Sequence, residues 1–147
     1  MTVRVERSFE LDAPPSAVWS SIADPGKRAE PISVVESYEL GENGATTWQL
    51  SLPIPVVDRT IAVETTETDR EKPRYVRFVG RSRVMRVVGE HELEALDGGE
   101  RTRLTNRFVV EGRLPGVERF FRRNFDAELD NLEAAIRADL GLPADLD

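Results

Sequence analysis

"LPGVERFFRRNFDAELDNLEAAIRADLG", residues 114–141, is the stretch on which the fold turns. After Pro115-Gly116 no helix breaker occurs until Gly141. Val117, Phe121, Phe125, Leu129, Leu132, Ile136 and Leu140 recur at spacings of three or four. That period lays them along one side of an α-helix, with Glu118, Arg122, Arg123, Glu128, Asp130, Glu133 and Arg137 largely elsewhere. The spacing predicts an amphipathic helix of about 24 residues, about 36 Å long. Its apolar stripe needs an apolar surface to lie on.

The residues before it supply that surface. "VRVERSFEL" (3–11) alternates Val3, Val5, Arg7, Phe9 and Leu11 against Arg4, Glu6, Ser8 and Glu10, the period of a strand with one face inward. From Ile32 to Gly112 the chain reads as successive strands: "ISVVESYEL", "TTWQLSLPI", "DRTIAVETTETD", "RYVRFVG", "VMRVVGEHELEAL" and "RTRLTNRFVVEG". Asn43-Gly44 and "DGGE" (97–100) are strong turn signals, and tight turns imply antiparallel neighbours. The two prolines of "LPIPVV" (52–57) cannot donate to a ladder and break the sheet there. Between the first strand and the rest, "DAPPSAVWSSIADPG" (12–26) predicts a short helix with Pro14 and Pro15 at its start and Asp24-Pro25-Gly26 at its end. "GKRAEPI" (26–32) allows at most one further short turn.

The expected architecture is α+β, a curved antiparallel sheet of about six or seven strands around one long C-terminal helix, with two short helices after strand one. Residues 1–147 read as a single domain whose acidic tail, 142–147, frays.

Composition narrows the function classes. With no Cys, thiol catalysis, thiolate metal sites and redox switching drop out. One His, and no HExxH or EF-hand pattern, leave no metal site and no cofactor to expect. A net charge of −7 disfavours nucleic acid. The apolar runs are too short for an integral membrane segment, and the opening residues lack a signal pattern, so a soluble cytoplasmic protein is expected.

Two further patterns carry a resemblance. Leu11, Ala13, Pro14, Val18, Trp19, Asp24 and Pro25 match an apolar residue, x-Ala-Pro, then Val-Trp and Asp-Pro. Gly98-Gly99 followed by Thr102-Arg103-Leu104-Thr105, with Glu100 and Arg101 inserted, matches a Gly-Gly then Thr-Arg-Leu-Thr pattern. Together with the element order, these resemble the START/Bet v 1-like (SRPBCC, helix-grip) superfamily, in its polyketide cyclase/dehydrase-like or CoxG-like branch. The resemblance spans roughly Val3 to Leu140. It implies a cavity between sheet and long helix holding an apolar ligand, with the opening flanked by the short helices and the start of the last helix.

On that reading Trp48, Phe78, Met85 and Phe108 from the strands, with Phe121, Phe125 and Leu129 from the helix, are the candidate cavity lining. Plain core is the competing account of each. Asn106 and Thr60, polar in apolar alternations, are candidates for a hydrogen bond inside. Arg77 and Arg81 are candidates for orienting a polar ligand group if they share the inner face, the alternative being an outward stripe paired with Glu64 or Glu67. The acids of "VETTETDRE" (63–71) read as solvated charge. His91 shares a face with Val87, Leu93 and Ala95, at the cavity or its rim, and is the weak candidate for catalysis. Trp19 reads as a wedge closing the floor.

The expected function is binding of a hydrophobic small molecule, of lipid, polyketide-like or isoprenoid type. The alternatives are a cyclase/dehydratase-type enzyme acting on such a ligand, or a CoxG-like factor recruiting a protein partner the sequence does not identify.

Overall fold

The computed structural model describes residues 2–42, 45–54 and 60–143. The expected turn at Asn43-Gly44, the break at Pro55 and residues 144–147 of the tail lie outside the described residues.

Strand β1 (Thr2–Leu11) is followed by helices α1 (Pro15–Ile22) and α2 (Pro25–Ala29). Then come β2 (Val35–Leu40), β3 (Thr46–Leu50), β4 (Ile61–Glu71), β5 (Tyr75–Arg81), β6 (Met85–Leu96) and β7 (Arg101–Gly112), and finally α3 (Val117–Asp139). The sheet has seven strands in the order β1-β7-β6-β5-β4-β3-β2. Every pairing is antiparallel, so β2 to β7 form a meander and β1 returns to the β7 edge.

Local chemistry accounts for the boundaries. Pro15 opens α1, where its missing N–H costs nothing. Asp24 caps α2 rather than merely ending α1: its Oδ1 accepts from the N–H of Gly26 at 2.9 Å and of Lys27 at 3.2 Å. Strand β2 starts at Val35, not at Ile32, because the N–H groups of Ile32 and Val35 bond to the carbonyls of Ala29 and Ile32 in consecutive turns. "DGGE" turns as expected, with Asp97, Gly98 and Gly99 all at positive φ. Gly116 precedes α3 at φ 94, a conformation that favours glycine.

The predicted stripe of α3 faces the sheet: Val117, Phe121, Leu129, Leu132 and Ile136 are buried and Phe125 half-buried. The core divides along this helix into two clusters. One gathers Phe9, Leu11, Val18, Trp19, Ile22, Leu93, Leu104, Leu132 and Ile136. Trp19 is buried in this cluster. The other gathers Trp48, Leu50, Phe78, Met85, Val87, Val110 and Phe121, with Phe108 and Phe125 against it. The cavity belongs to the second.

Candidate functional site

Between the sheet and α3 lies a cavity of about 70 Å³. Aromatic rings dominate its wall. Phe78 meets Trp48 edge-on at 5.9 Å between centroids, stacks on His91 at 6.1 Å and meets Phe108 at 6.5 Å. Phe125 of α3 stacks on Phe108 at 5.5 Å and continues to Phe121 at 5.6 Å. Gly89 makes this crowding possible, since a Cβ there would collide with the Phe78 ring and press on Phe108. Trp48, Phe78, Met85, Phe108, Phe121, Phe125 and Leu129, singled out from the sequence, all stand on this wall.

Three polar residues also line it: Arg28, His91 and Glu128. His91 is 1 % exposed and Asn106 fully buried. They face each other in register across β6 and β7, with Arg7 next to Asn106 on β1. His91 Nδ1 is 2.7 Å from Asn106 Oδ1. Asn106 Nδ2 donates to the Arg7 carbonyl at 3.2 Å, and a carbonyl only accepts, so the amide orientation is set. Oδ1 therefore accepts, Nδ1 carries the proton, and Nε2 is left as the acceptor of a neutral imidazole. Burial, then the nearby Arg28 cation, push the imidazole down to about 3, against the opposing Asn106 bond.

Arg28 enters from α2 and was not among the residues expected here. Its Nη2 donates to Glu67 Oε2 at 3.0 Å, its Nη1 to the Ile22 carbonyl at 3.3 Å, and its guanidinium sits 5.2 Å from the Phe78 centroid. Burial lowers its pKa, and the Glu67 hydrogen bond and charge resist that. Glu67, read from sequence as solvated, is buried here because it follows Val63 and Thr65 on the inner face of β4. Arg70, half-exposed, donates to both Glu67 oxygens at 2.8 and 3.0 Å and covers Trp19 at 5.2 Å.

Arg77 and Arg81 are not part of the cavity. Val76, Phe78 and Gly80 take the inner positions of β5, so Arg77 and Arg81, on the alternate positions, point outward. Arg77 donates to Thr68 Oγ1 at 2.8 Å, and Arg81 is exposed opposite Glu64. Thr60 is exposed. Asn106 stands beside His91 on the neighbouring strand and is not on the wall itself.

The segment between α2 and β2 covers one side of the cavity. Ile32 and Val34 line it, and Ser33 between them is tied to α3: Glu128 accepts from its N–H at 2.9 Å and its hydroxyl at 2.7 Å. One donor of a wall residue is shut off from the cavity and has no partner among the described residues. The buried Trp48 Nε1–H makes no hydrogen bond, an arrangement that ordinarily costs about 1–3 kcal/mol. Among the described residues there is no group of carboxylates and His able to hold a metal, and no helix long and apolar enough to cross a membrane.

Comparison with known proteins agrees with this architecture. A conserved protein from Geobacillus kaustophilus superposes with a TM-score of 0.76 at 20 % identity, over 95 % of each chain. The Zhui aromatase/cyclase from Streptomyces sp. R1128 gives 0.69 at 21 % identity, over 93 % of this chain and 95 % of its own. A START superfamily protein from Mycobacterium smegmatis gives 0.70 at 12 % identity, over 94 % and 97 %. No curated protein sequence matches the chain. Residues 2–137 match the family model described as polyketide cyclase / dehydrase and lipid transport, and the chain belongs to that family.

Proposed function

We propose that the protein binds a hydrophobic small molecule between the sheet and α3. The observation that carries this reading is the aromatic-walled cavity between the sheet and the middle of the long helix. Well-packed domains rarely keep such a void, because its lining forfeits contact energy. Membership in a family that includes lipid transport, and the likeness to an aromatase/cyclase, support the same class of ligand.

Binding is favoured here over catalysis. A general base works best with a pKa near the operating pH, and His91 lies far below it. At about 70 Å³ the cavity is well under the ~300–1,000 Å³ of sites that enclose drug-sized ligands. A multi-ring ligand therefore enters as the walls part, and the 32–34 segment, held to α3 by the Ser33–Glu128 bonds, is the wall with the least regular structure.

Titration with the uncharged dye N-phenyl-1-naphthylamine tests the proposal. Saturable one-to-one binding with blue-shifted emission is expected, and Val34→Phe, which fills the cavity from its edge, should abolish it. Absence of saturable binding, or binding that survives the filled cavity, overturns the proposal.

A further inference from the structure

We infer that the cavity selects an uncharged ligand bearing a hydroxyl group, whose O–H donates to His91 Nε2, and discriminates against carboxylates. This rests on the binding reading above and names the ligand class for the same site.

The hydrogen-bond chain sets the polarity of the site. The Arg7 carbonyl fixes Asn106, Asn106 fixes the His91 tautomer, and the result is an acceptor on a ring that lines the cavity. Among the described residues the hydrogen bond recorded for the ring is the one at Nδ1, which leaves Nε2 as its acceptor end. An acceptor on a cavity-lining ring can take a hydrogen bond, and a ligand hydroxyl supplies one. A ligand carboxylate cannot, because it has no proton to give and meets a lone pair. Nor can the imidazole adapt by taking up a proton, since burial and Arg28 hold it neutral throughout the physiological range.

The remaining charges reinforce this. Arg28, the cation on the wall, is already committed to Glu67, the Ile22 carbonyl and the Phe78 face. An anionic ligand would have to compete with Glu67 for it and would set a second negative charge beside that buried carboxylate. On the α3 side the wall carries another carboxylate, Glu128. An uncharged, hydroxylated, largely aromatic molecule meets none of these penalties.

Four probes of one shape separate the possibilities by calorimetry: naphthalene, 1-naphthol, 1-methoxynaphthalene and 1-naphthoate. 1-Naphthol should bind about 3- to 10-fold more tightly than naphthalene and 1-methoxynaphthalene, the advantage of one net hydrogen bond, with 1-naphthoate weakest. The double variant His91→Phe/Asn106→Leu, which replaces both polar partners with apolar groups, should erase the 1-naphthol advantage while keeping naphthalene binding. Should that variant fail to fold, the ranking of the four probes on the wild-type protein decides alone. A carboxylate that binds as well as the alcohol, a methyl ether that matches it, or an advantage that persists in the double variant overturns the inference. If none of the four binds, it is the cavity reading itself that fails.

Discussion

The space between the sheet and α3 is filled in two different ways along the helix. Toward the helix C-terminus, Leu132 and Ile136 meet Trp19, Leu93 and Leu104 in a mostly aliphatic floor. Toward its N-terminus, Phe121 and Phe125 meet a wall of rings, with a cavity and the buried ions Arg28 and Glu67 beside it. Branched aliphatic chains interdigitate and close a volume, whereas rings held edge-on and stacked by their neighbours leave gaps between their rims. The same helix thus secures the fold with one half and presents a site with the other.

The difference predicts where substitutions are felt. The largest effect should come from the buried pair. Glu67→Leu strands Arg28 and should cost about 3–5 kcal/mol of unfolding free energy in urea titration. Arg28→Met should cost markedly less, because Glu67 keeps Arg70 on both its oxygens. Equal losses for the two would show that the pair, not the stranded charge, is what matters.

Next is the contrast between the halves. Leu104→Ala in the floor, where Leu104 is 0 % exposed, should cost about 2–5 kcal/mol. It should leave N-phenyl-1-naphthylamine affinity within about twofold. Phe125→Leu beside the cavity should cost only about 1 kcal/mol while clearly changing dye affinity. The reverse pattern would break the division.

The last effect, silent near neutral pH, is the pH dependence of His91. Its folded pKa, about 3, lies below the unfolded value of 6.5, so the unfolded state binds the extra proton as pH falls. The contribution is fully present above about pH 6.5 and is lost on descending toward pH 3, at up to about 1.4 kcal/mol per pH unit. In a pH series of urea titrations, His91→Gln should flatten this slope relative to the wild type. An unchanged slope would mean that the imidazole is not held neutral by its burial.

Much of the site was legible because periodicity reports facing. A period near 3.6 put Phe121, Phe125 and Leu129 on one side of α3, and the β7 alternation put Asn106 inward. Arg77 and Arg81 were harder, since alternation alone does not say which of its two faces is inner. Phe78 between them settled that, and they went outside. Arg28 was not legible at all. It sits in a five-residue helix too short to show a period, and its partner Glu67 is 39 residues away.

From its own residues, then, the chain determined the element order, the inner stripe of α3 and the aromatic content of the wall, because these follow from local spacing and side-chain type. Only the tertiary structure decided which cation enters the cavity, which tautomer His91 adopts and how much space remains. Each of these depends on groups far apart in sequence that meet only when the sheet curls around α3: Arg28 with Glu67, Asn106 with the Arg7 carbonyl, and Phe108 with Phe125.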